Sequence, residues 1–513
     1  MQGVTKMKKI TAFILIIVIL LSSVGCIKNK HNNDTANNSK ENNIIDELKN
    51  TTANNQLNNN NTTNSNSSNN NVNQNSPTPF CTEHKYVNNV CSVCNCALWS
   101  GKVDTSWYSA LELEFNISTA EQFAGLVNIV NSGVDFAKSK IYLNNPLDLN
   151  NIPITPIGAT SKTVFAGTFD GKNNTISNVK ITTQSILPEL IHTNNNGNWY
   201  QVKAGLFGFS KGNISNINLT KVDINLTSTK SSDIDIGCLV GKNYGTISNC
   251  YTQGKIEVGE NNVFNIGGII GFSDSGSIEK SNSNITIISS YNNDNNKFKP
   301  IGSIEASIGG AIGRTANQFS MSKCSAIGNI SFISNDKSHD YILGGLIGRT
   351  YGKSYILNSY STVSMKGSGK SLGFAGGILG RSTPTTVDSC YFNGNIEIKC
   401  LYGAAAGLLG QTSDINGLKK SWAAGNITII SENEPKTKLN SLFTIEDEYF
   451  FRPENKISTC YYAAEQKLSG TTITKNGTPI PLNDLKAAKF YTNIMMWDQN
   501  VWNIVDGQFP TLK

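Results

Sequence analysis

Histidine is scarce in this chain: four in 513 residues, at His31, His84, His192 and His339. No H-E-x-x-H pair occurs, which excludes a zinc-peptidase helix of that type. Carboxylates are sparse as well. Asp170, Asp223, Asp274, Asp388 and Asp414 share no column of the repeats described below, so the paired acids that sugar hydrolysis needs are missing. Asp170 stands in a Phe-Asp-Gly turn, where an Asx role fits better. Net charge is weak: the formal value is +6 and falls to near +3 without Lys6, Lys8 and Lys9. So small and dispersed an excess excludes a nucleic-acid partner, which needs a clustered basic face. It permits only loose attraction to anionic wall polymers. Long apolar runs are also lacking, since the longest, Ile10 to Leu21, is too short for a typical membrane span.

That run follows three lysines and leads into Ser22-Ser23-Val24-Gly25-Cys26, the layout of a secretory signal. Cys26 after Val24-Gly25 resembles a bacterial lipobox, which predicts cleavage over 1–25 and lipidation of Cys26; cleavage without lipidation is the alternative. Residues 26–77 are dominated by Asn, Thr and Ser, too polar to offset the entropy of ordering, and read as a disordered tether. Next, at 78–100, comes a knuckle: Cys81-x2-His84, then Cys91-x2-Cys94, with Cys96 close behind. Two ligand pairs with two-residue gaps can converge on a structural zinc through Cys81, His84, Cys91 and Cys94, with Cys96 spare or an alternative ligand. Disulfide pairing, natural in an exported chain, is the other reading.

From 101 to 465 the sequence repeats itself. A phrase of Gly/Ala, Gly/Cys, two apolar residues and Gly recurs seven times, from Ala204-Gly205-Leu206-Phe207-Gly208 to Ala406-Gly407-Leu408-Leu409-Gly410. The closing glycines are 33, 30, 42, 35, 32 and 30 residues apart, a period that signals stacked units. In Gly237–Val258 the apolar runs Cys238–Val240, Thr246–Tyr251 and Lys255–Val258 read as three short strands per unit. The predicted fold is all-β: a parallel β-helix, or solenoid, with short helical end caps. Its glycines should occupy tight corners or positive-φ positions. One column holds Ile217, Cys250, Ser281, Cys324, Ser359, Cys390, Ser421 and Cys460. Cysteines two coils apart, near 9.6 Å, are out of disulfide reach, so they should be buried thiols. Cys238 and Cys400, elsewhere in the repeat, read as packing residues.

Strand edges at both ends need covers. Ser118-Thr119-Ala120-Glu121 reads as a capping box, opening a helix to Asn131 with Phe123, Leu126, Val127 and Val130 on one face. At 466–513, Leu482–Tyr491 reads as a short helix and Trp497–Leu512 as an aromatic cover for the last coil.

Extra residues between repeats fall at one corner: Thr182–Lys203, Ser289–Ser307, Ser334–Leu343 and Ser431–Phe451. Insertions at one phase emerge on one side, often the binding side. They carry Trp199, Tyr200, Tyr291, Phe298, Tyr341, Tyr449, Phe450 and Phe451, suited to stacking on sugars or anchoring a protein. The alternative is that these rings fold back over the coils.

The anchors followed by Gly245-Thr246-Ile247-Ser248-Asn249-Cys250-Tyr251 resemble the GLUG-motif repeats of bacterial surface proteins. So do the leading segments Ile117–Leu126 and Phe165–Gly171, and the likeness runs from Ile117 to Lys513. The resemblance implies an exported, right-handed β-helix associated with surface display or adhesion, and brings no catalytic residues. Together these readings predict a lipid-anchored cell-surface scaffold, not an enzyme, that binds an extracellular glycan or protein. A polysaccharide lyase or hydrolase on the same fold is the alternative.

Overall fold

Each repeat forms one coil of four strands. The type coil contains Asp233–Gly237, Val240–Asn243, Thr246–Ser248 and Tyr251–Gly259. Each strand pairs in parallel with its equivalent in the next coil, Phe264–Gly267, Ile270–Ser273, Ser277–Glu279 and Asn282–Tyr291. Repetition builds four sheets, called I to IV in the order of these strands, with 10, 8, 11 and 19 strands among the described residues. The chain is therefore a parallel β-helix. The computed structural model describes residues 84–194, 197–226, 233–259, 264–291, 304–433, 436–445, 457–470 and 472–513. All belong to one compact unit, Ser67–Lys513; the unit Met1–Asn66, with Cys26 and most of the expected tether, lies outside the described residues.

Three strands per coil were expected and four are found. The glycine-rich anchor makes the corner between sheets I and II: its first residue ends the sheet I strand and its fourth begins the sheet II strand. A Cβ on Gly267 would lie 2.1 Å from Ile270 O, and one on Gly310 would lie 2.3 Å from Gly345 O of the following coil. Neither glycine has a left-handed φ. Backbone crowding within and between coils, rather than handedness, demands the missing side chain here.

The left-handed residues sit at another corner, between sheets III and IV. Asn216, Asn249, Lys280, Lys323, Asn358, Ser389, Lys420 and Thr459 take φ values from 46° to 57° on successive coils. Asparagine tolerates this region better than most side chains. Asn249 Nδ2 also donates to Asn216 Oδ1 at 2.8 Å, tying one coil to the next.

The Cys/Ser column follows directly after these residues. Every cysteine in it is free and buried. The alternation has a simple chemistry. The Ser281 hydroxyl donates to Glu279 O at 2.9 Å and accepts the Cys250 N–H at 3.2 Å; Ser359 and Ser421 serve Cys324 and Cys390 likewise, each at 3.1 Å. Each thiol lies near the carbonyl two residues back, as in Cys324 Sγ to Ser322 O at 3.2 Å.

Apolar ladders fill the interior. In sheet IV, Ile181, Ile224, Ile256, Ile287, Ile330, Met365, Ile396 and Ile427 are successive partners, all buried. Each such side chain contributes roughly 1.5–3 kcal/mol by leaving water. Ahead of them, helix α1 spans Ala120–Asn131, with Phe123, Leu126, Val127 and Val130 buried as its periodicity predicts. Its N-cap is Thr119, which accepts from Gln122 N at 3.2 Å, while Gln122 Oε1 accepts from Ser118 N at 2.8 Å. The N-cap thus sits one residue later than expected, with Gln122 reaching back to the residue before it, and Glu121 instead receives the Ser100 hydroxyl.

The C-terminal segment forms a 3₁₀ turn at Asp484–Lys486 and a wide π-helical turn at Phe490–Met495. It packs along a flank of the coils rather than over the last one. The flank offers outward rings on successive coils: Tyr360 and Tyr391 stack at 4.8 Å, and Tyr391 and Trp422 at 4.5 Å. Trp497 and Trp502 cover them, and Tyr391 donates its hydroxyl to Pro510 O at 2.7 Å.

Candidate functional site

The knuckle is built from three two-residue strands: β1 (Tyr86–Val87), β2 (Val90–Cys91) and β3 (Ala97–Leu98). Asn88 and Asn89, both at positive φ, join β1 to β2 with Val87 opposite Val90. Two successive left-handed residues give the tight hairpin turn that matches strand twist, and asparagine suits it. Past β2 the chain curls back, with Asn95 N donating to Cys91 O and Cys91 N to Cys96 O, at 2.9 and 2.8 Å. The curl brings Cys94 Sγ within 3.3 Å of His84 Nδ1.

The donor atoms of His84, Cys91 and Cys94 all lie within 4.8 Å of one another. Metal–ligand distances of about 2.0–2.3 Å to zinc allow such a trio to occupy three corners of a tetrahedron. Burial works against a thiolate at Cys91, but hydrogen bonds from the Val93 and Cys94 backbone, from His84 and from the Lys85 backbone outweigh it, holding the thiol down to about 5. The thiolate is the metal-binding form. Cys96 behaves oppositely: burial, then the negative charge of Asp148, push it up to about 12. It belongs to the packing against the first coils and not to the trio. All three cysteines are free. The fourth expected ligand, Cys81, lies outside the described residues.

The knuckle is not a separate bead. β3 pairs in parallel with Leu147–Asp148, so it adds a strand to sheet IV at its N-terminal end. Ala97 N donates to Pro146 O at 3.0 Å, and the Tyr86 hydroxyl reaches Asp148 Oδ2 at 2.7 Å. Metal-ligand geometry and the start of the coil stack therefore share one piece of backbone.

The insert corner divides. Glu189–Asn194 and Gly197–Ala204 form an antiparallel hairpin whose second strand joins sheet I. Trp199 and Tyr200 are part-exposed on it, and Leu190 and Ile191 are 51% and 47% exposed. Tyr291 and Tyr341, expected to face a ligand, are buried, and that expectation is corrected for both. Tyr291 encloses His339 together with Phe264 and Phe332, its ring 4.3 Å from the imidazole, and Tyr341 packs on Phe332 at 4.9 Å. Burial pushes His339 down to about 3. Its Nδ1 is 3.5 Å from Ser334 Oγ, but both side chains are buried, so this Ser–His contact presents no nucleophile to solvent. Phe298, Tyr449, Phe450 and Phe451 lie outside the described residues, and exposed His192 sits opposite Trp199 in the hairpin.

Sequence reasoning missed one buried ionic cluster. Lys203 Nζ contacts Asp233 at 2.9 Å and Asp235 at 2.8 Å, and Asn265 Nδ2 donates to Asp235 at 2.6 Å. Burial disfavours the ammonium, but two carboxylates outweigh it and raise the lysine. The signal was register: Lys203, Asp235 and Asn265 occupy one column of adjacent coils.

No family model and no curated protein matches the chain. Two solved structures resemble it. One is a Bacteroides ovatus protein described as a putative immunoglobulin A1 protease, with 17% identity and a TM-score of 0.41, covering 79% of this chain and 93% of that one. The other is named IgA1 protease, with 16% identity and a TM-score of 0.35; the match covers 68% of this chain and 22% of that one. The expectation of a non-enzyme is corrected on this finding: both similar structures carry protease names, and the chain is not classed as a non-enzyme. At these identities and TM-scores the likeness carries no argument about chemistry.

Proposed function

We propose that this chain is an exported, lipid-anchored cell-surface protein of the GLUG-repeat kind, whose β-helix displays a binding face for glycan or protein ligands. Cys26 carries the lipid, and residues 26–77 tether the coils to the membrane. The reading rests on one observation, the hairpin at the edge of sheet I with its part-exposed Trp199 and Tyr200 beside exposed Leu190 and Ile191. Aromatic faces next to apolar side chains on a rigid sheet suit sugar stacking or a partner's anchor residue. A zinc ion held by His84, Cys91, Cys94 and Cys81 secures the N-terminal end of the stack. Its role is structural, since four protein ligands leave no open position.

The test is ligand capture by the full chain on glycan and extracellular-protein arrays. Trp199→Ala with Tyr200→Ala should abolish capture while the far-ultraviolet spectrum stays unchanged; retained capture removes the proposal. The same preparation is assayed for turnover of polysaccharides and for cleavage of immunoglobulin A1. Cleavage of either would replace the binding role with an enzymatic one.

A further inference from the structure

The chain has only four arginines, and three of them stand in one column. Lys242, Phe272, Arg314, Arg349 and Arg381 are successive in-register partners on sheet II. All five are part-exposed. Aromatic rings interleave with the charges. Lys242 Nζ lies 5.1 Å from the Phe272 ring centre, and the Arg314 guanidinium lies 5.7 Å from Phe272 and 4.5 Å from Tyr351. Arg349 lies 4.2 Å from the same Tyr351 ring.

Stability alone does not explain this column. Cations on adjacent coils stand about 4.8 Å apart and disfavour one another. Elsewhere in the molecule the register solves that problem with a carboxylate. Lys366 faces its direct partner Glu397 at 3.2 Å, and Lys140 faces Glu114 at 3.6 Å. On sheet II, Arg349 pairs with Glu305 from sheet I. Among the described residues, Lys242 and Arg314 have no carboxylate at ion-pair distance. The rings of Phe272 and Tyr351 grip the Arg314 guanidinium, which leaves its in-plane N–H edge suited to carboxylate oxygens.

We infer that sheet II carries a docking track for a linear polysaccharide bearing carboxylates, a uronate-type glycan. Lys242 and Arg314, two coils apart in one column and neither ion-paired among the described residues, match an anion that recurs along a polymer. The part-exposed edges of Phe272 and Tyr351 add apolar contact that a sugar ring can use and bare phosphate cannot. This track is a different face from the insert corner and does not rest on that reading.

The full chain is titrated with polygalacturonate, with its methyl-esterified form and with inorganic polyphosphate at several salt concentrations. Polygalacturonate should bind and weaken as salt rises, because exposed charge contacts are screened. The neutral ester should bind at least about tenfold more weakly, a difference charge pairing readily supplies. Lys242→Gln with Arg314→Gln should cost about tenfold, whereas exposed, off-column Lys475→Gln should change little. Trp199→Ala should leave this binding intact, which separates it from the insert-corner proposal. Because a misfolded variant would also lose binding, Arg314→Lys is run beside the others. It keeps the charge and loses only the fork, so it should weaken polygalacturonate binding less than the paired Gln substitution does, a graded loss that misfolding would not give. Equal binding of polyphosphate and polygalacturonate, or binding indifferent to the paired substitution, overturns the inference.

Discussion

Lys203 Nζ lies 2.8 Å from Asp235 Oδ2, and the two residues are direct partners on adjacent coils of sheet I. Both side chains are almost wholly buried, so each charge depends on the other for what water no longer supplies. Lys203→Met strands Asp235 in the interior, and the midpoint of denaturant unfolding should report a loss of about 3–5 kcal/mol. Replacing both residues, Lys203→Met with Asp235→Leu, should recover most of that loss. A single variant as stable as the parent would mean that the pair is solvated in solution.

Metal removal should act on the fold through β3. Purified full chain is expected to carry one zinc, Cys91→Ser to lose it, and Cys96→Ser to keep it, as native mass spectrometry would read. Chelation should also deprotect the Ala97 amide, which bonds to Pro146 O, in hydrogen exchange while leaving the Ile256 amide untouched. Unfolding of the whole stack would contradict this, because each coil is stabilised mainly by its neighbours.

Much of this architecture was legible because the repeat exposes equivalent positions to comparison. Cys250, Ser281, Cys324 and Ser359 alternate at one phase, and the structure puts them in one buried hydrogen-bonded column. The fourth strand was not legible. Asp233–Gly237 precedes the anchor, and in several coils its equivalent follows an insert whose length hides the period. The same inserts made Tyr291 and Tyr341 look like surface rings. Whether an aromatic at a corner turns outward or inward depends on space left by other coils, here filled around His339, and a linear pattern carries no such information.

His339 predicts acid sensitivity. Its imidazole, near 6.5 when unfolded, is held down to about 3 by burial among rings. The group is neutral in both states above pH 6.5. As pH falls below that, the unfolded chain takes up a proton that the folded chain refuses, so stability drops progressively until pH nears 3. By pH 4 the loss from this one group should be about 3 kcal/mol. His339→Phe should flatten the stability profile across that window. An unchanged slope would show that this imidazole is protonated in the folded protein.

The flank stack supplies the last prediction. Tyr360, Tyr391 and Trp422 lie parallel on successive coils, and Trp497 and Trp502 cover them. Trp497 Nε1 donates to Lys420 O at 2.9 Å, so the segment is also held by the left-handed corner. Ending the chain after Pro481 should leave the parallel ladders intact, because the stack's strands pair without it. It should uncover a contiguous aromatic patch, the kind of surface that drives association. The truncated protein should keep its far-ultraviolet strand signal, bind a hydrophobic dye and sediment as oligomers. Trp497→Ala alone removes one anchor and should cost about 3–5 kcal/mol, typical of a buried tryptophan. A truncated chain that stays monomeric and dye-negative would show that the coils close this flank themselves.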